Sequence, residues 1–337
     1  MKLIITVDTE ADNQWNYNGR VSLENLKHLS RFQDLCDRYA FRPTYLIACE
    51  VLQDDRALLL LRQWRQEGRA EIGAHLEPWT TPPFLKEEEK DRAMQAFPSE
   101  LPEPWFGRKL ETLTTRIEGV LGEAPRSFRA ARWGLCGSMV RALAACGYLA
   151  DCSVTPKMSW SREQGLPGGA GGPDYRLAPL RPYPLSVEDV CRPGDSAVLE
   201  VPPTVIYTGP LGHENRALAR RFSGLPETLL KRLLNRFVFR LRWLRISRSS
   251  NLRDWRCILL AAQRDGLDAL QFMIHSSELM AGGSPLSRTE EDAGRVWVKF
   301  EEMLCFFREK HLAGCTLLEY RNGSIAGSAG REAMECP

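Results

Sequence analysis

Lys2-Leu3-Ile4-Ile5-Thr6-Val7-Asp8-Thr9-Glu10 opens the chain with an apolar, β-branched run that ends in two carboxylates. Two further segments repeat this construction. Ala70-Glu71-Ile72-Gly73-Ala74 runs into His75-Leu76-Glu77-Pro78-Trp79, and Leu270-Gln271-Phe272-Met273-Ile274 runs into His275-Ser276-Ser277-Glu278-Leu279. Short apolar runs of this kind predict buried strands. Strands that end in reactive side chains, with helical segments between them, describe an α/β protein whose site lies at the C-terminal edge of the strands.

Working outward, strands at 2–7, 43–48, 70–74, 127–131, 148–154 and 197–205, the last cut by Pro202-Pro203, alternate with helices at 22–39, 56–68, 108–121 and 135–146. In the first helix, Leu23, Leu26, Leu29, Phe32 and Leu35 recur at helical spacing, the stripe of a helix packed on a sheet. A Pro-rich connection spans 78–104, with an acidic helical piece around 86–96. The stretch 161–195, with Gly168-Gly169-Ala170-Gly171-Gly172-Pro173, predicts an irregular excursion. One helical stretch is expected from 214 to 265. After the strand that ends in His275, a helix opens at Thr289 with Asp292 three residues on, a capping-box pattern. A last strand at 314–318 leads into a tail expected to be disordered. About seven β/α alternations favour a distorted (β/α)7 barrel over an open sheet. The domain covers 1–320 with a basic helical insertion at 212–256, and the tail covers 321–337.

The 337 residues are 43% hydrophobic and 26% charged, enough for a sizeable core. A net charge of +2 offers no global attraction to nucleic acid. No run approaches the ~18 apolar residues of a membrane span, and the N-terminal apolar run is too short for a signal peptide. The ten cysteines show no CxxC pair and no disulfide-like spacing, so they read as reduced thiols. A cytoplasmic protein is expected. Charge is uneven, however. Between 214 and 256, twelve Lys/Arg face three acidic residues, and leucines, Phe237 and Val238 interleave with them at helical spacing. Such a segment suits a solvated basic face, an anionic membrane surface or a lipid-linked sugar. No recognised motif supports nucleic acid.

In extended backbone, residues i and i+2 share a side. Asp8 with Glu10, and His75 with Glu77, therefore form same-side pairs at two strand ends. One imidazole and two or three carboxylates suit zinc or another divalent metal, with a position open to water. His275, titrating near neutrality, suits delivery of a proton to a departing group. His28, His213 and His311 carry no comparable context.

In order, Thr6-Val7-Asp8-Thr9-Glu10, the segment from Gly73 to Pro83, Phe128-Arg129-Ala130-Ala131-Arg132-Trp133-Gly134, Asp151-Cys152-Ser153-Val154-Thr155-Pro156 and His275-Ser276-Ser277-Glu278-Leu279 resemble the motifs of the polysaccharide deacetylases. These are the NodB-homology enzymes of carbohydrate esterase family 4, and the match leans to the WalW-like branch. The resemblance implies a metal-dependent hydrolase that removes N-acetyl groups from an amino-sugar-containing glycan, an oligosaccharide or a lipid-linked precursor. It implies Asp8 as general base, Arg129 as the group that orients it, and His275 as general acid. Glu10 and His75 stand at metal-ligand positions, and zinc is the first expectation, with cobalt, nickel or manganese as alternatives. Trp133, Ser153 and Leu279 would wall the acetyl pocket. The wider family carries a second metal histidine where this chain has Trp79, which is left as a substrate contact. The matching branch often has histidine where this chain has Glu77, here taken as the third ligand. These departures keep open a catalytically silent carbohydrate-binding or regulatory member.

Overall fold

The computed structural model describes residues 1–14, 22–84, 96–214 and 217–332, so the acidic piece expected at 86–96 lies almost wholly outside the described residues. The strands are β1 (Lys2–Thr9), β2 (Pro43–Ile47), β3 (Glu71–Leu76), β4 (Ser127–Ala130), β5 (Ala150–Asp151), β6 (Tyr183–Pro184), β7 (Leu199–Glu200), β8 (Val205–Tyr207), β9 (Leu241–Trp243), β10 (Ala269–His275) and β11 (Ala313–Gly314). The main sheet runs β10-β1-β2-β3-β4-β5-β7-β6, with β11 beside β1. Its first seven members are parallel and β6 joins antiparallel at the edge. A curled parallel sheet of this kind is the distorted barrel the alternation predicts.

β1 is the best-enclosed strand. Its residues from Leu3 to Thr9 are all buried, because it pairs with β10 on one side and β2 on the other. The helix Leu29–Arg38 covers that region with Leu29, Phe32, Leu35 and Cys36, and Phe32 stacks on Phe300 at 4.4 Å. Each such apolar side chain contributes about 1.5–3 kcal/mol when fully buried. Asp54 and Asn251 cap two outer helices, and Thr289 with Asp292 forms the expected capping box. In β3, Gly73 is required by close approach. A Cβ there would stand 2.6 Å from the Ser127 carbonyl oxygen and 2.7 Å from the Leu46 side chain.

The strand expected at 197–205 with a cut at Pro202-Pro203 is divided there into β7 and β8, since proline donates no ladder hydrogen bond. Two stretches differ from the sequence reading. The helical stretch expected from 214 to 265 is broken into Ala217–Gly224, Leu229–Leu234 with a π-turn at Asn235–Phe239, then β9, and finally Leu252–Arg264. β9 pairs antiparallel with β8, and the chain reverses at Arg240 in the left-handed conformation (φ 55°). At the C-terminus, Leu317–Glu332 is helical where a strand end and a tail are expected. Among the described residues, nine cysteines are free, and no helix is long and apolar enough to cross a membrane.

Candidate active site and metal centre

Parallel register brings the strand ends together. Asp8 pairs with His275 across β1–β10, and His75 with Arg129 across β3–β4. Glu10 and Glu77 lie just past the ends of β1 and β3. Ligand atoms of Glu10, His75 and Glu77 all fall within 4.8 Å of one another, and all three residues are buried. His75 Nε2 is 3.4 Å from Glu10 Oε2 and 4.0 Å from Glu77 Oε1. Its Nδ1 lies 3.2 Å from the Arg129 carbonyl oxygen, which therefore accepts the Nδ1 proton and leaves Nε2 as the free donor pair.

Arg129 is fully buried and donates to Asp8 Oδ1 at 2.5 Å, to Thr6 Oγ1 at 2.9 Å and to the Cys152 carbonyl at 3.1 Å. The Trp133 ring lies 4.9 Å from its guanidinium. Asp8 is held by this fork, with its second oxygen 3.9 Å from His275 Nδ1. His275 Nδ1 is closer to Glu10 Oε1, at 2.8 Å. Burial works against the charged imidazole, but Glu10 and Asp8 outweigh it and raise His275 to about 9. Burial likewise works against the Glu10 carboxylate, yet His275 and His75 bring it down to about 2.

Glu77 is in a different position. Burial, then the neighbouring Glu50 and Glu10, push it well above the ordinary carboxylate range. Gln14 donates to both its oxygens, at 3.0 and 3.1 Å, and Thr80 Oγ1 donates at 3.1 Å. The donor set fits a divalent cation. It converges on one point, and it gathers buried carboxylates whose mutual repulsion a cation would relieve.

These groups open onto a cavity of about 320 Å³. Asp8, Glu10, His75, Glu77 and His275 line one side, and Trp79, Phe97, Trp133 and Trp160 supply aromatic walls. Arg132 and Trp133 are both in the left-handed region, at φ 52° and 62°. Such strain in bulky residues persists only where the surroundings enforce it. Here the buried Tyr175 hydroxyl donates to the Trp133 carbonyl at 2.6 Å and accepts from the Leu135 N–H at 3.0 Å.

The structure thus gathers Asp8, Glu10, His75, Glu77, Trp79, Arg129, Trp133 and His275. Ser153 and Leu279 stand apart from the cavity lining. Ser153 is fully buried, with its hydroxyl donating to Asp151 at 2.9 Å and accepting from the Ala130 N–H at 2.8 Å. Leu279 is fully buried under Trp297. Sequence reading missed Gln14, Glu50 and Arg245. Glu50 follows β2 by three residues, so the strand-end rule applied to β1 and β3 would have found it. Gln14 shared a side with nothing regular and left no signal. Arg245 was counted only as bulk charge, but it lines the cavity and donates to Glu278 Oε1 at 2.7 Å.

No protein-family model matches the sequence, and no curated protein matches it. Among solved structures, the chain is similar to a protein from Mycobacterium smegmatis provisionally described as a polysaccharide deacetylase. The match covers 96% of this chain and 91% of that one, at 15% identity and a TM-score of 0.51. At that identity the likeness carries the fold alone, a distorted (β/α) barrel of the NodB/polysaccharide deacetylase type. The chain is also similar, at 9% identity and a TM-score of 0.43, to a pseudoenzyme of that family from Bacillus anthracis, covering 95% of this chain and 65% of that one. That weaker likeness adds nothing to the assignment.

Proposed function

We propose that this chain is a metal-dependent hydrolase that removes N-acetyl groups from an amino-sugar-containing glycan or lipid-linked glycan precursor. The observation that carries the reading is the convergence of a Glu10/His75/Glu77 donor set with Asp8–Arg129 and His275 on one aromatic-walled cavity. Glu10, His75 and Glu77 would hold a divalent ion, zinc first, with cobalt, nickel and manganese as alternatives. Such an ion supplies Lewis acidity, which makes water a nucleophile near neutral pH.

The remaining work falls to this chain's own side chains. Asp8 accepts the proton of the attacking water, and the Arg129 fork fixes which of its oxygens is free. His275 gives a proton to the departing amine nitrogen, and its Nδ1 contact with Glu10 keeps that proton available. Trp79 and Trp133 stack against sugar faces and narrow the cavity around the acetyl group. A second reading, a catalytically silent carbohydrate-binding member, draws on one observation. The Gln14 amide already serves both oxygens of Glu77.

Acetate release from a panel of N-acetylated amino sugars, with and without chelator, separates the two. Release that stops with chelator and returns with added metal supports the hydrolase. Sugar binding without acetate release across the panel supports the silent member.

A further inference from the structure

The segment from Leu229 to Phe239 is apolar on both sides, with Leu234, Val238 and Phe239 packed on the Tyr207–Phe222 cluster. Its inner side holds Lys231, 6% exposed, and Phe239, 4% exposed. Lys231 donates to the Leu225 carbonyl at 2.7 Å, pairs with Glu227 at 2.6 Å, and lies over the Phe222 ring. Its outer side holds Leu229, Leu230, Leu233 and Phe237, which are 78%, 66%, 55% and 61% exposed. Residues at i, i+1, i+4 and i+8 share one side of a helix. Beyond the side chains it packs inward, the segment therefore carries a second apolar stripe of three leucines and a phenylalanine that faces away from the core. Single exposed leucines are ordinary, but a contiguous stripe marks a surface that something covers.

The charges around the stripe say what. Arg232 and Arg236 lie on the same segment and are exposed, and neither makes an ion pair among the described residues. Two copies of the chain meeting through this stripe would bring those arginines together, which argues against self-association. A neutral partner would leave them unused. An anionic bilayer surface meets both demands, taking the apolar side chains below the headgroups and the guanidiniums among the phosphates.

We propose that the exposed face of the 229–237 segment is an interfacial anchor for anionic lipid membranes. The inference is independent of the reaction assigned to the cavity. Its placement has a consequence for access, however. The segment passes through the Arg240 turn into β9, and Trp243 packs against Trp133 and Trp160, with ring centroids 5.4 and 6.4 Å apart. Arg245, two residues further, lines the cavity. Chain resting on the bilayer is therefore continuous with the cavity wall.

Co-sedimentation of the full chain with phosphatidylcholine vesicles, with and without phosphatidylglycerol, tests this. The protein pellets with the anionic vesicles at low salt, stays in solution with the neutral ones, and is released as salt rises. Leu229→Ser/Leu233→Ser/Phe237→Ser and Arg232→Glu/Arg236→Glu each weaken binding by at least about tenfold. All five changes are at exposed positions, so circular dichroism melting should report an unchanged fold. Failure of the wild-type protein to bind anionic vesicles overturns the proposal. So does full binding by the triple serine variant, or equal binding to both vesicle types. A concentration-dependent dimer in ultracentrifugation that the serine variant abolishes would replace the bilayer with a second copy.

Discussion

Glu77 and Glu200 are two glutamates withdrawn equally from solvent. Each is buried, 1% and 0% exposed, and burial pushes each well above the ordinary carboxylate range. Each also has another carboxylate as neighbour. Glu200 lies directly across the parallel β5–β7 ladder from Asp151. That pair is closed on itself. Glu200 accepts from the Val154 N–H at 3.1 Å and Asp151 from the Ser153 N–H at 2.8 Å, and one proton held between the two carboxyls would relieve the repulsion of like charges placed opposite. Glu77 instead faces Glu10, Glu50 and the His75 imidazole at the edge of an open cavity. A buried acid is therefore no mark of chemistry by itself. What distinguishes the two is convergence on a point from which another atom can be held. The Glu200 pair should answer to protons alone, and the Glu77 cluster to metal.

The strongest blow to one side of this contrast comes from the groups that move protons at the cavity. Asp8→Asn and His275→Ala should each lower kcat by roughly 10²–10⁴ while leaving metal content largely intact. Steady-state acetate release with parallel metal analysis checks this. Either variant turning over at the wild-type rate leaves the mechanism without that residue.

A smaller effect sharpens the contrast at Glu77 itself. Two carboxylates and one imidazole make a harder, more anionic site than two imidazoles with one carboxylate. Glu77→His should shift preference toward zinc and tighten its binding by on the order of tenfold. Competitive chelator titration reads this. Unchanged affinity in Glu77→Ala would take Glu77 out of the ligand set.

The edge that carries the candidate site was legible because its signal is local. Each of Lys2–Thr9, Glu71–Leu76 and Ala269–His275 is a short apolar run with polar groups at its C-terminal end, and parallel pairing aligns those ends. Glu50 was legible by the same rule and was passed over. The region from 197 to 250 was legible only in part. The cut at Pro202-Pro203 was read from the prolines themselves, but the helical spacing of leucines beyond it reads as one helix, and the reversal at Arg240 is decided by the pairing of β8 with β9, a contact between residues more than thirty positions apart. The outward apolar face of Leu229–Phe239 was hidden for a related reason. Periodicity shows that a stripe exists, not which side of it meets the core. The helix Leu317–Glu332 was masked by its glycines and serines, poor helix formers that tertiary packing overrides.

The smallest expected effect lies on the Glu200 side. A carboxyl whose folded pKa is raised contributes stability that is fully present below the ordinary carboxylate value. That contribution is lost as pH rises through the folded value. The wild-type protein should therefore lose stability on moving from pH 5 toward pH 8 through this pair. Glu200→Gln keeps an acceptor for Val154 and gives Asp151 a donor without a titrating proton. It should raise Tm by roughly 2–5 °C at pH 8 and by much less at pH 5, with metal content unchanged. A Tm change with no pH dependence would contradict the shared-proton description.

The account rests most directly on whether Glu10, His75 and Glu77 hold a divalent ion. Metal should be counted by plasma mass spectrometry after loading with zinc, cobalt, nickel or manganese and exhaustive dialysis. The wild-type chain should retain close to one equivalent, and His75→Ala essentially none while keeping its fold. Wild-type protein that retains no divalent metal after loading, or His75→Ala that retains as much as wild type, would contradict it.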